Sequence, residues 1–279
     1  MLKRILTAIV AVAVFIPICW FSDRFAVWPV AMTILSVVAA WEMTKCVGAS
    51  KHISLLIPAF LTAIFVPCTV WRFPFPHNMW EGVFAVDAAY LLWTFTADVF
   101  SRGKIDYEVS AASFMGIFYT SFAFACLVWL RATTGPYRYL LVFIGPWVSD
   151  TFAYLTGRAI GKHKLIPEVS PKKTVEGAVG GIVFAALAFV LYGWIIKRFF
   201  APSIDVNPLF MALSGVIVAV VSQIGDLAMS VIKRRYGIKD YGNLFPGHGG
   251  VLDRFDSVLL TAPVLVILSQ IPALSAYLV

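Results

Sequence analysis

The chain has 279 residues, 60% of them hydrophobic and only 13% charged, with a mean hydropathy of +0.86. Soluble domains carry about 25% charged residues, so a water-soluble globular enzyme does not fit. The net charge of +7, from 22 Lys and Arg against 15 Asp and Glu, reads as basic loops beside anionic lipid rather than a nucleic-acid surface.

The N-terminus, MLKRILTAIVAVAVFIPICWFSD, has the basic start and apolar run of a signal peptide. No small-x-small cleavage site follows it, so it reads as an uncleaved first span. Nine apolar segments follow one another at about 5–21, 25–46, 53–72, 80–100, 110–130, 138–157, 176–196, 208–232 and 256–278. Backbone groups in hydrocarbon must pair within their own segment, which makes these segments helices. The expected fold is therefore an all-α polytopic membrane bundle of about nine spans. It forms a single membrane domain, with N-terminal spans over 1–137 and the loops that carry the chemistry over 138–279.

A cytoplasmic N-terminus leaves only Arg24, Arg72, Arg131, Arg138, Lys197 and Arg198 on the outer side, and places the other sixteen Lys and Arg inside. The positive-inside rule selects that orientation. The most basic inner loops are 157–175 and 233–255, with five Lys or Arg each. Cys19, Cys46, Cys68 and Cys126 stand singly, with no C-x-x-C spacing, and read as apolar packing residues.

An ionisable residue inside a span is costly and marks function by default. Asp150, in GPWVSDTFAY, and Asp226, in VSQIGDLAMS, fall in the inner halves of their spans. Asp253 and Asp256, in VLDRFDS, open the last helix at i, i+3 spacing, on one face. Clustered anions repel without a cation between them, and a hard oxygen site of this kind suits magnesium with substrate phosphates. Asp87 and Asp98, in the fourth span, read as structural.

The basic loops supply the opposite sign. In EVSPKKTVEG, Ser170 is expected as an N-cap with Pro171 at the first helical position, putting Lys172, Lys173 and Thr174 in the first turn. Cations at a positive helix end are unfavourable unless an anion joins them, which points to a phosphorylated ligand. Gly177 and Gly181, four apart, read as close helix packing. In FPGHGG, Gly247, Gly249 and Gly250 allow positive φ or close backbone approach to a ligand, and His248 between them can donate to a phosphate oxygen. GRAIGKHK is not a phosphate loop, because three residues rather than four separate its glycines and His163 stands where Ser or Thr is required.

The run SVIKRRYGIKDYGNLFPGHGGVLDRFD, 230–256, resembles the signature of the phosphatidate cytidylyltransferases, or CDP-diacylglycerol synthases. Ser230, Lys233, Arg234, Lys239, Asp240, Pro246, His248, Gly249, Gly250, Asp253, Arg254 and Asp256 carry the likeness. SDTFAYLTGRAIGKHKL, SPKKTVEG and SQIGD resemble the family in the same order. The resemblance implies that CTP and phosphatidate form CDP-diacylglycerol and pyrophosphate with magnesium, potassium being a second cation. It implies Asp226, Asp253 and Asp256 as metal ligands and Lys173 and Lys239 as further catalytic residues. Substrate contacts would come from Asp150, Ser170, Lys172, Thr174, Lys233, Arg234, Asp240, His248, Gly249, Gly250 and Arg254. A homodimer in a bacterial inner membrane, with its site on the cytoplasmic side, completes the implied picture. The competing readings are a CTP-dependent lipid kinase of the polyprenol or phytol type and an ion-coupled transporter.

Overall fold

The computed structural model describes residues 2–22, 24, 26–71 and 79–271. Arg72 and the end of the ninth expected segment, 272–278, lie outside them. Among the described residues each of the nine apolar segments forms a helix, and six helices are long and apolar enough to cross a membrane. The chain divides into two compact units, Met1–Ala132 with Arg235–Phe255, and Thr133–Arg234 with Asp256–Val279.

The first unit runs α1 (Leu2–Trp20), α2 (Val27–Val47), α3 (Ile53–Trp71), α4 (Met79–Ser101) and α5 (Tyr107–Thr133). α2 stops at Gly48, whose φ of 84° lets its N–H return to the Lys45 carbonyl. Prolines 58 and 67 sit inside α3 without ending it. α5 carries a long run of buried residues from Ala123 to Leu130. Trp28 of α2 is fully buried and donates its indole N–H to the Leu127 carbonyl at 3.0 Å. Gly116 admits the Met43 side chain, whose Cγ would stand 2.5 Å from an added Cβ. The outward face of α4 is apolar, with Phe84, Leu92, Val99 and Phe100 exposed, as a lipid-facing helix requires. All four cysteines are free, as their spacing suggests.

The second unit begins with a short turn, α6 (Gly135–Arg138), then α7 (Leu141–Ile160). An antiparallel hairpin, β1 (Lys164–Ile166) with β2 (Ser170–Thr174), pairs Lys164 with Thr174 and Ile166 with Ser170. α8 (Val175–Ile195) and α9 (Pro208–Arg235) follow, then α10 (Leu252–Gln270), of which the part from Asp256 onward belongs to this unit.

Close packing of α7 on α8 organises this unit. A methyl group at Gly177 would meet the Ala153 carbonyl oxygen at 2.6 Å, and one at Gly181 would meet that of Ser149 at 2.7 Å. Gly180 stands equally close to the Thr156 side chain. Small residues let the two backbones approach, as their spacing predicts, and the Phe152 and Phe184 rings stack at 3.9 Å on the same pair of helices. Gly181→Ala is expected to overpack this seam by about 1–3 kcal/mol. A fall in the thermal midpoint of the detergent-solubilised protein checks it, and an unchanged midpoint contradicts it.

Candidate active site

The hairpin corrects one expectation. Ser170 is not an N-cap, and Pro171, Lys172 and Lys173 are not helical: all lie on β2, and α8 starts at Val175. Thr174 is the cap, with extended φ/ψ of −125° and 155°, and its hydroxyl oxygen accepts the Gly177 N–H at 3.1 Å. Two features set the later start. Pairing with β1 satisfies backbone groups of 164–166 that a helix beginning at Pro171 would abandon. Glu176, in the first turn, accepts the Lys162 and His163 N–H groups at 3.0 and 3.2 Å and contacts His163 Nδ1 at 2.6 Å, pinning the hairpin to the positive helix end. Where α7 gives way to the hairpin, a Cβ on Gly161 would fall 2.2 Å from the Gly157 carbonyl oxygen.

The lysines are thereby carried on a strand beside the helix start. Lys172 is exposed, whereas Lys173 is half-buried and its ammonium pairs with Asp226 Oδ2. Asp226 Oδ1 also accepts the Ser230 hydroxyl at 3.4 Å. The segment SQIGD on α9 has a distinct task for three of its residues. Gln223 donates its amide to Ser149 Oγ and to the Ala178 carbonyl, both at 3.1 Å, tying α9 to α7 and α8. Gly225 lets α10 in: a Cβ there would lie 2.9 Å from the Asp256 carbonyl oxygen. Asp226 follows on the next position and supplies the charge.

Asp256 Oδ1 accepts the Ser257 N–H at 2.8 Å. The Ser257 hydroxyl stands between two carboxylates, 3.3 Å from Asp150 Oδ2 and 3.4 Å from Asp256 Oδ1. Asp226, Asp150 and the buried Lys233 all lie within electrostatic range of Asp256. This unit thus gathers Asp150, Asp226 and Asp256 with Lys173 and Lys233. Arg234, beside Lys233, is exposed. Among the described residues no group of three or more His, Cys, Asp or Glu is close enough to hold a metal ion through side chains alone.

The remaining expected residues belong to the first unit. Gly247 and Gly249 have φ of 80° and 84°, the left-handed conformation their loop requires. The turn closes on itself, Phe245 N–H to Gly249 O at 2.9 Å and His248 N–H to Phe245 O at 2.8 Å. His248 Nδ1 is buried and makes no hydrogen bond in this structure. The Gly250 amide, expected to approach a ligand, donates instead to Asp253 Oδ2 at 2.9 Å, and the same oxygen accepts the Tyr241 N–H at 2.7 Å. Lys239, Asp240 and Arg254 are exposed.

Sequence reasoning passed over Glu42, which is buried on α2 and accepts two backbone N–H groups at the start of α10. It also passed over Glu176, Gln223 and Ser257. The signal for Glu42 was in view, an acidic residue near the end of an apolar span. Asp98 accepts the Ser110 hydroxyl, in keeping with its structural reading. Asp87 is buried with neither oxygen hydrogen-bonded.

Removing the Gln223 amide takes a donor from the buried Ser149 hydroxyl and breaks the part-buried contact with the Ala178 carbonyl. Gln223→Leu is expected to lower stability by about 1–3 kcal/mol, read as a lower unfolding midpoint. An unchanged midpoint would show that the three-helix tie carries no weight.

Residues 2–271 match the Cytidylyltransferase family. Over 269 residues the chain is 31% identical to a protein of Staphylococcus haemolyticus named phosphatidate cytidylyltransferase, covering 95% of this chain and 97% of that one. A Staphylococcus saprophyticus protein of the same name is 32% identical over 269 residues, with the same coverage. One from Staphylococcus aureus, also so named, is 33% identical over 274 residues, again 95% and 97%.

Proposed function

The chain belongs to the Cytidylyltransferase family, and from that premise we propose that it transfers the cytidylyl group of CTP to phosphatidate. The observation that carries the reading is likeness along nearly the whole chain to proteins named for that activity. The six apolar helices long enough to span a bilayer put such an enzyme where its lipid substrate is. We place the site at the cytoplasmic face of a bacterial inner membrane, on the side where the basic loops 157–175 and 233–255 collect.

In this reaction a phosphate oxygen of phosphatidate bonds to the α-phosphorus of CTP, and the bond from that phosphorus to the bridging oxygen breaks. Pyrophosphate departs with the electron pair. The nucleophile is already ionised, so no strong general base is required. The obstacle is charge: at 4 Å and an effective dielectric near 20, each pair of like unit charges costs about 4 kcal/mol.

The donor set fits a hard cation. Asp226 and Asp256 offer carboxylate oxygens with Ser257 beside them, and Lys173 already holds positive charge against Asp226. Magnesium takes one or two carboxylates and completes its shell with substrate phosphates and water. Asp226 and Asp256 would hold it, and once bound it would neutralise nucleotide phosphates and stabilise charge on the departing group. Asp253, the third carboxylate implied by the resemblance, has Oδ2 engaged by two amides of its own loop. Lys173 and Lys233 meet phosphate charge from within the second unit. Lys172 and Arg234 of the second unit are exposed, as are Lys239 and Arg254 of the first, and on each unit they offer positive charge that attracts anionic substrates. Thr174 serves by capping α8 and so setting the strand that carries Lys173.

Purified protein given CTP, phosphatidate and magnesium is expected to form CDP-diacylglycerol and one pyrophosphate per turnover. Release of CDP with a newly phosphorylated lipid, or no lipid product, would refute the reading. Asp256→Asn is expected to reduce turnover by about 100-fold or more while leaving the unfolding midpoint near that of the wild type. Near-normal turnover in that variant would remove Asp256 from the metal site.

A further inference from the structure

The positive N-terminal end of a helix seeks an anion, and its first amides need acceptors. At α10 those acceptors come from within the protein. Glu42 Oε1 accepts the Val251 N–H at 2.9 Å and Oε2 accepts the Leu252 N–H at 2.8 Å, across more than 200 residues of sequence. Glu42 is 4% exposed, and both its carboxylate oxygens are engaged by these amides, so it is out of reach of a substrate. Two glycines make room for it: a Cβ on Gly250 would fall 2.1 Å from Oε1, and one on Gly242 would fall 2.3 Å from the same atom. One residue further on, Asp253 Oδ2 gathers the Tyr241 and Gly250 amides. Two carboxylates therefore clamp both ends of the loop 241–252, which includes the tight turn 245–249 that carries His248.

We propose that Glu42 is a positioning residue for cytidylyl transfer: it fixes the loop 241–252 and the start of α10, on which His248 and Arg254 are carried, without touching substrate. The inference rests on the function proposed above and extends it to a residue outside the resembling motifs. Carboxylate chemistry is essential to the role. Both oxygens accept N–H groups, and a glutamine of the same shape keeps one acceptor while turning an NH2 donor against the second amide. Gly242→Ala reaches the same contact from the opposite side, by pressing a methyl group on Oε1.

The test compares full-length wild type, Glu42→Gln and Gly242→Ala in detergent, by hydrogen–deuterium exchange and by steady-state kinetics with CTP and phosphatidate. Losing one charge-assisted hydrogen bond corresponds to about a tenfold change. Exchange of peptides from 241–254 is expected to quicken by about that factor or more in both variants, with peptides from α7 and α8 unchanged. kcat is expected to fall by about tenfold or more while each KM stays within about threefold of wild type, since the interaction lost is not one with bound substrate. Wild-type exchange in both variants would overturn the clamp. Faster exchange with wild-type kcat would overturn the positioning role. If Glu42→Gln does not fold, Gly242→Ala decides by the same two readouts. Absence of CTP- and phosphatidate-dependent turnover in the wild type would count against the proposed reaction, and the exchange measurement would still decide whether Glu42 clamps the loop.

Discussion

A charge withdrawn from water must find an opposite charge or a hydrogen-bond donor, because left alone it costs several kcal/mol. In a chain with so few charged residues, that constraint shapes the carboxylates around the candidate site, while Asp87 stands apart as a buried carboxyl with neither oxygen hydrogen-bonded. Asp226 is met by the Lys173 ammonium. Glu42 is met by two amides, and Asp253 by two more. Glu176 meets the amides of Lys162 and His163. Each of these contacts also fixes a piece of backbone that would otherwise be a loose loop between apolar helices.

The two units use the constraint differently. In the first, carboxylates accept N–H groups and hold a glycine-rich loop in one conformation. In the second, Glu176 likewise accepts amides, but Asp226 faces an ammonium group, and the Asp150, Ser257 and Asp256 contacts bring like charges to one side. Such an arrangement attracts cations, and polyphosphate chemistry requires cations. Neutral scaffolding keeps the charges in place: the Gln223 amide ties three helices one turn before Asp226, and Gly225 admits the backbone of α10.

Hydropathy made the helices legible, since runs of about 20 apolar residues admit little else in a bilayer. The carboxylates of α9 and α10 were legible because ionisable groups are conspicuous in such runs. The hairpin was not. Its strands are three and five residues long, too short for an alternating pattern, and Ser170-Pro171 imitates a helix start more convincingly than Thr174 does. The decision fell to β1 pairing and to Glu176, both of which act through tertiary contact. Glu42 was hidden for a related reason, because its partners lie at the far end of the sequence and are backbone amides with no side-chain signature. The Gly250 amide shows the converse, a glycine that reads as a ligand contact and is used within the fold.

Charge compensation is tested most directly by a double-mutant cycle on Lys173 and Asp226. Lys173→Met, Asp226→Asn and the double variant would be compared with wild type by equilibrium unfolding in detergent. Compensation predicts that the double variant is more stable than the sum of the single losses, by about 1 kcal/mol or more. Additive losses would contradict it, because each group would then be sustained without the other.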